Sequence, residues 1–177
     1  MAASGTLGGM SSPAAPVRTD AALAAAAVAL IVLPLVGLAI KLAWPGWMLF
    51  FVLMVSPVLL IGYVVQVIIA ITGFLTRRAV FRTSAGRTRA LTAAWLTSVG
   101  IVVTAFFFVD GGDADWGSAF MYTVGGASSS ELGNVSGAVS YVSGAVWVGA
   151  WAWLVVEWII ALMARRRATT PISASAA

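Results

Sequence analysis

Residues 139–167 read VSYVSGAVWVGAWAWLVVEWIIALMARRR. From Val139 to Met163 the stretch holds one formal charge, Glu157, and it stops at Arg165, Arg166 and Arg167. About 20 predominantly apolar residues in a helix cross the ~30 Å of hydrocarbon in a bilayer. Arginines directly after such a run hold that end at the head groups. The segment therefore reads as a membrane span with a basic stop.

Three more runs of the same kind precede it: Ala21–Ala43, Trp47–Leu75 and Ala90–Val109. Composition agrees. The chain has 177 residues, 61% of them hydrophobic and 9% charged, where a soluble domain carries about 25% charged residues. The expected fold is an all-α integral membrane protein, a four-transmembrane-helix antiparallel bundle. Residues 1–19 read as a disordered tail, 20–164 as the membrane domain with an external loop at 110–138, and 165–177 as a basic tail. The first run is longer than the ~7–15-residue core of a secretory signal peptide, so it is expected to stay as an anchor.

Charge sets the expected orientation. Nine of the ten basic residues lie in the N-terminal tail, in the loop 76–89 or in the C-terminal tail. Arg77, Arg78, Arg82, Arg87, Arg89 and Arg165–Arg167 thus mark the cytoplasmic side, with both termini inside. The pI near 10.4 reflects this distribution, and nucleic-acid binding is not expected because no basic fold accompanies it. The expected partners are the lipid bilayer and a second copy or a membrane-complex subunit. Arg outnumbers Lys nine to one, which suggests a GC-rich bacterial genome and so a bacterial plasma membrane.

Chemistry is narrowed by what the sequence omits. It has no Cys and no His, which removes thiolate nucleophiles, disulfides and imidazole acid–base or metal chemistry. No nucleophile–base constellation is visible, so neither catalytic residues nor a cofactor is expected. Asp110, Asp113 and Asp115 lie within six residues and suit a hard cation. They lack the EF-hand order and its twelfth-position Glu, and they are expected to form a solvated acidic turn.

Pro34 and Pro57 fall inside the first two runs, where they shape the helices while neighbours re-satisfy the carbonyls they free. Lys41-Leu-Ala-Trp-Pro-Gly-Trp47 predicts a tight hairpin, with Lys41 snorkelling to the interface. Trp116–Val124 is apolar enough for a short interfacial or re-entrant helix, ended by Gly125-Gly126.

Two features of the last run point to packing and function. Val135-Ser-Gly-Ala-Val139 recurs as Val142-Ser-Gly-Ala-Val146, and a period of seven returns to nearly the same helix face, drifting ~20° each time. Ser136, Ser143, Ala150, Glu157 and Ala164 thus form a seam of mostly small residues along which backbones can approach. Trp147, Trp151 and Trp158 are expected on its flank. Glu157 is the second feature. It lies about 12 Å along the helix from Arg165, and an acid at that depth needs an interior partner. Gln66, Thr97 and Ser98 fall at similar depth, giving an expected buried polar layer of Gln66, Thr97, Ser98 and Glu157.

Two roles follow for Glu157. It locks span four against spans two and three, protonated or bonded to Gln66, in a non-catalytic accessory or scaffolding protein. Alternatively it is the protonatable group of a small proton-coupled transporter, with Trp153 walling a site for a cationic or aromatic substrate.

Overall fold

The computed structural model describes residues 21–82, 85–112 and 115–169. The expected leader, residues 1–19, and the chain after Thr169 lie outside the described residues. Within them the protein is mostly helical. Four helical segments are long and apolar enough to cross a membrane: Ala21–Ala43, Ser56–Leu75, Arg87–Phe107 and Ser130–Ala168.

Helix α1 (Ala21–Ala43) turns at Trp44–Gly46 into α2 (Trp47–Met54) and α3 (Ser56–Ile69), which ends in a π-helical turn, Ala70–Leu75. A 3₁₀ turn, Val80–Arg82, leads to α4 (Arg87–Phe107). A two-residue antiparallel ladder, β1 (Asp110–Gly111) with β2 (Trp116–Gly117), then precedes the short α5 (Ala119–Thr123) and the long α6 (Ser130–Thr169).

Three boundaries differ from the sequence reading. The second run is not one rod. It breaks at Val55 (φ −91°, ψ 4°), with Pro57 in the first turn of α3. Proline has no N–H for the carbonyl four residues back, so α2 and α3 meet at a joint instead of continuing as one helix. The segment between the last two long helices is shorter than the expected 110–138, because α6 starts at Ser130. At the other end α6 carries Arg165–Arg167 as helix, not as tail. At ~1.5 Å per residue its 40 residues make a rod roughly twice the hydrocarbon thickness. The expected short helix within 116–124 is α5, and Gly125 at φ +71° reverses the chain after it.

Small residues decide how the helices meet. On α1, Leu23, Ala26, Ala27 and Leu30 are buried with Ile69, Phe74, Phe81, Ala90, Ala93, Ala94 and Leu154 in one apolar core. Gly37 of α1 approaches Ile101 and Ala105 of α4, and Lys41 reaches Phe108, so α1 and α4 run parallel. Gly100 of α4 faces Trp147 of α6, where an added Cβ would lie 2.9 Å from the Trp147 Cβ and 3.1 Å from its Cα. With Thr104 bonded to Ser143 and Ser136 to Phe107, α6 runs antiparallel to α4. Trp147 therefore sits in the seam, not on its flank.

Pro34 is answered by side chains of α3. Pro34 leaves the Leu30 carbonyl without its helical donor. Gln66 Nε2 donates to that carbonyl at 2.7 Å, and the Tyr63 hydroxyl donates to the Ile31 carbonyl at 2.9 Å. Tyr63 and Gln66, three residues apart on α3, together dock it onto the opened turn of α1.

Candidate functional site: the Glu157 ion pair

Glu157 lies on α6 where that helix meets the first turn of α4. It is buried (7% exposed). The Arg89 Nε donates to its Oε1 at 2.8 Å and Nη2 to its Oε2 at 3.4 Å. Trp153 Nε1, one turn back on α6, also donates to Oε1 at 3.0 Å. Both carboxylate oxygens are thus held by N–H donors. The pair is lopsided: the Arg89 side chain is 61% exposed and that of Glu157 only 10%. The arginine reaches in from the surface and the acid waits inside, so the guanidinium is what approaching molecules meet.

The expected polar layer is corrected by this geometry. Gln66, Thr97, Ser98 and Glu157 are all buried, but among the described residues Glu157 bonds to Arg89 and Trp153 and to none of the other three. Gln66 is taken by the carbonyl that Pro34 frees, and the Thr97 hydroxyl bonds back to Ala93 in its own helix at 2.8 Å. Ser98 Oγ is buried with no hydrogen-bond partner among the described residues. Arg89, read from the sequence as a topology-setting charge, is the partner of the acid. Its place at the start of an apolar run, at the same end as the approach to Arg165, was the available signal.

The seam is a real interface for most of its length. Ser136 and Ala150 are buried and Ser143 half-buried, interleaved with Ser140, Trp147 and Leu154. Ser136 Oγ donates to the Phe107 carbonyl at 2.9 Å and pairs with Ser118 Oγ at 2.6 Å, tying α5 to the α4–α6 contact. Ala164 is exposed, because α6 has run past the start of α4 by that point.

The remaining arginines gather at the Glu157 end. Arg165 Nη1 donates to the Arg78 carbonyl at 2.8 Å, joining the segment after the π turn to the end of α6. Trp158 Nε1 donates to Thr72 in that turn at 3.1 Å. Arg77, Arg78, Arg166 and Arg167 are exposed, and Arg82 and Arg87 half-buried.

At the opposite end Lys41 is folded in against its neighbours. Its Nζ donates to the Phe108 carbonyl at 3.1 Å, lies 4.9 Å from the centre of the Phe108 ring and 3.9 Å from Asp110 Oδ2. Asp110 packs over Gly46 of the Pro-Gly turn, where a Cβ would collide with its carboxylate. Two of the three acids of the expected turn are described, and they part. Asp110 is turned to Lys41, Asp115 is exposed, and Asp113 lies outside the described residues. Among the described residues no three acidic, His or Cys side chains are grouped to hold a metal.

No family model, curated protein or solved structure matches this chain.

Proposed function

We propose that the chain is a four-pass protein of a bacterial plasma membrane, threaded as an antiparallel bundle with both termini cytoplasmic, and that it is a non-catalytic accessory or scaffolding subunit. Asymmetric charge supports the orientation: the arginines between the second and third spans and those after the fourth gather at one end, and basic segments are retained in the cytoplasm. The observation that carries the accessory reading is the hold on Glu157. A carboxylate with both oxygens engaged by Arg89 and Trp153 acts as a fastener between α4 and α6. Interhelical hydrogen bonds in membranes average only ~0.6 kcal/mol, so the fastener refines a packing already set by Ala, Ser and Gly.

Purification in mild detergent tests the role. A stoichiometric membrane partner, still recovered with Glu157→Gln, is the expected result. Isolation of the chain alone from native membranes would contradict it.

The runner-up is proton-coupled transport through Glu157. What favours it is that Trp153 and Arg89, the two donors to the acid, also border an open groove between α4 and α6. Protonation of Glu157 would release both donors towards that groove. Proteoliposome uptake driven by a pH gradient and abolished by Glu157→Gln would move the assignment to transport.

A further inference from the structure

The outer surface of the α4–α6 contact is grooved along much of its length. A furrow of about 500 Å³ runs between Val99, Val103, Val139 and Val142. A second, of about 370 Å³, adjoins it and ends at Thr88, Arg89, Thr92 and Trp153. Leu96 and Val146 line both, so the two furrows meet there and follow one another along the helices. Their floor is made by the small residues that let the helices close, Ala93, Gly100 and Ala150.

From Arg89 to Val103 the groove follows fifteen residues of α4, fourteen steps or about 21 Å of helix. One leaflet's share of the hydrocarbon is about 15 Å. The groove is therefore as long as one leaflet plus the step to its head groups. It is apolar along that length and cationic at its end. The carboxylate that pairs with Arg89 sits behind it, buried, while the guanidinium is exposed with its Nη1–Nη2 edge, Nη1 and the second N–H of Nη2, left over from its contacts to Glu157. The exposed Thr88 and Thr92 and the half-exposed Trp153 indole (54%) stand beside it, the residue types that suit the head-group level. Glu157 thus has a second effect: it fixes the guanidinium at the mouth of the groove in one orientation.

We infer that the α4–α6 groove is a binding site for one anionic glycerophospholipid of the leaflet at the arginine-rich end. The phosphate sits on Arg89, and an acyl chain lies along Leu96, Val99, Val103, Val142 and Val146. Arginine is suited to phosphate because its planar fork donates two parallel hydrogen bonds. The apolar groove alone accepts any acyl chain, so head-group selectivity belongs to Arg89.

The test uses the full-length protein in lipid nanodiscs doped with phosphatidylglycerol or phosphatidylcholine carrying a photoactivatable acyl chain. Adducts are mapped by peptide mass spectrometry. The expected result is phosphatidylglycerol adducts concentrated on α4 from Leu96 to Val103 and on α6 from Val139 to Val146. They should exceed phosphatidylcholine adducts about fivefold, the effect of one basic side chain beside an anionic lipid. The double variant Arg89→Gln/Glu157→Gln, which removes the cation without stranding the acid, should equalise the two lipids. Val142→Trp, at an exposed groove position, should lower adducts of both lipids while the melting temperature holds. Equal labelling by the two head groups in the native protein, or adducts spread evenly over the exposed faces of α2 and α3, would overturn the site. That comparison needs no variant to fold.

Discussion

Two ion pairs close opposite ends of the contact among α1, α4 and α6, and they differ in what surrounds them. Lys41 and Asp110 are both enclosed, with side chains 15% and 6% exposed. At the other end Glu157 is equally enclosed, but its partner Arg89 stands largely in the open. The first pair joins the end of α1 to the segment after α4 through a backbone carbonyl, an aromatic ring and a carboxylate at once. The second joins two helices and leaves half its charge facing outward. An enclosed pair is costly to break, because the survivor is a buried charge; an exposed partner can be replaced by water. The Lys41 end is thus built to stay shut, and the Arg89 end to meet other molecules.

Four substitutions separate these ends, in falling order of effect on unfolding free energy in detergent micelles. Lys41→Met removes the cation beside buried Asp110 and the donor to the Phe108 carbonyl, and should cost about 3 kcal/mol or more. A loss under about 1 kcal/mol would mean that this end is as open as the other. Gln66→Leu tests the region between the ends: it strands the Leu30 carbonyl freed by Pro34 and should cost about 1–3 kcal/mol. Its effect should not vary with salt, since no ion is involved. Arg89→Gln should cost about 1–2 kcal/mol, between the exposed and enclosed limits, and less as salt is raised. An equal salt response of Arg89→Gln and Lys41→Met would erase the distinction drawn here. Glu157→Gln keeps an acceptor for Trp153 and should cost least, about 0.5–1 kcal/mol. A larger loss than for Arg89→Gln would make the acid, not the pair, the structural element.

The sequence carried most of this architecture. A run of apolar residues ended by arginine identifies a span because lipid leaves the backbone few other conformations. The seven-residue repeat likewise identified Ser136, Ser143 and Ala150 as a packing face. Burial was readable too, since Glu157, Gln66, Thr97 and Ser98 are all buried. Pairing among them was not. Position along a span says how far a residue lies from the head groups, but not which neighbour faces it. Gln66 went to the nearest unmet acceptor, a carbonyl that exists only because Pro34 sits four residues on. Arg89 was legible as a boundary charge, yet its side chain is long enough to mark the boundary and reach inward. Pro57 signalled a disturbance of the second run, whereas the π turn at Ala70–Leu75 arises from local hydrogen-bond choices that apolar composition does not encode. The early start of α6 was masked by its polar first turns, Ser130–Gly137.

The proposed fourfold threading of the membrane, with both arginine-rich segments on the cytoplasmic side, can be tested directly. The chain contains no cysteine, so single cysteines report without background. Ala85→Cys and Ala168→Cys lie at the arginine-rich end, and Pro45→Cys and Thr123→Cys at the other; all four positions are exposed. In intact cells a membrane-impermeant maleimide should label positions 45 and 123 and spare 85 and 168 until the membrane is opened. Labelling of 85 or 168 in intact cells, or protection of 45 and 123, would contradict the account.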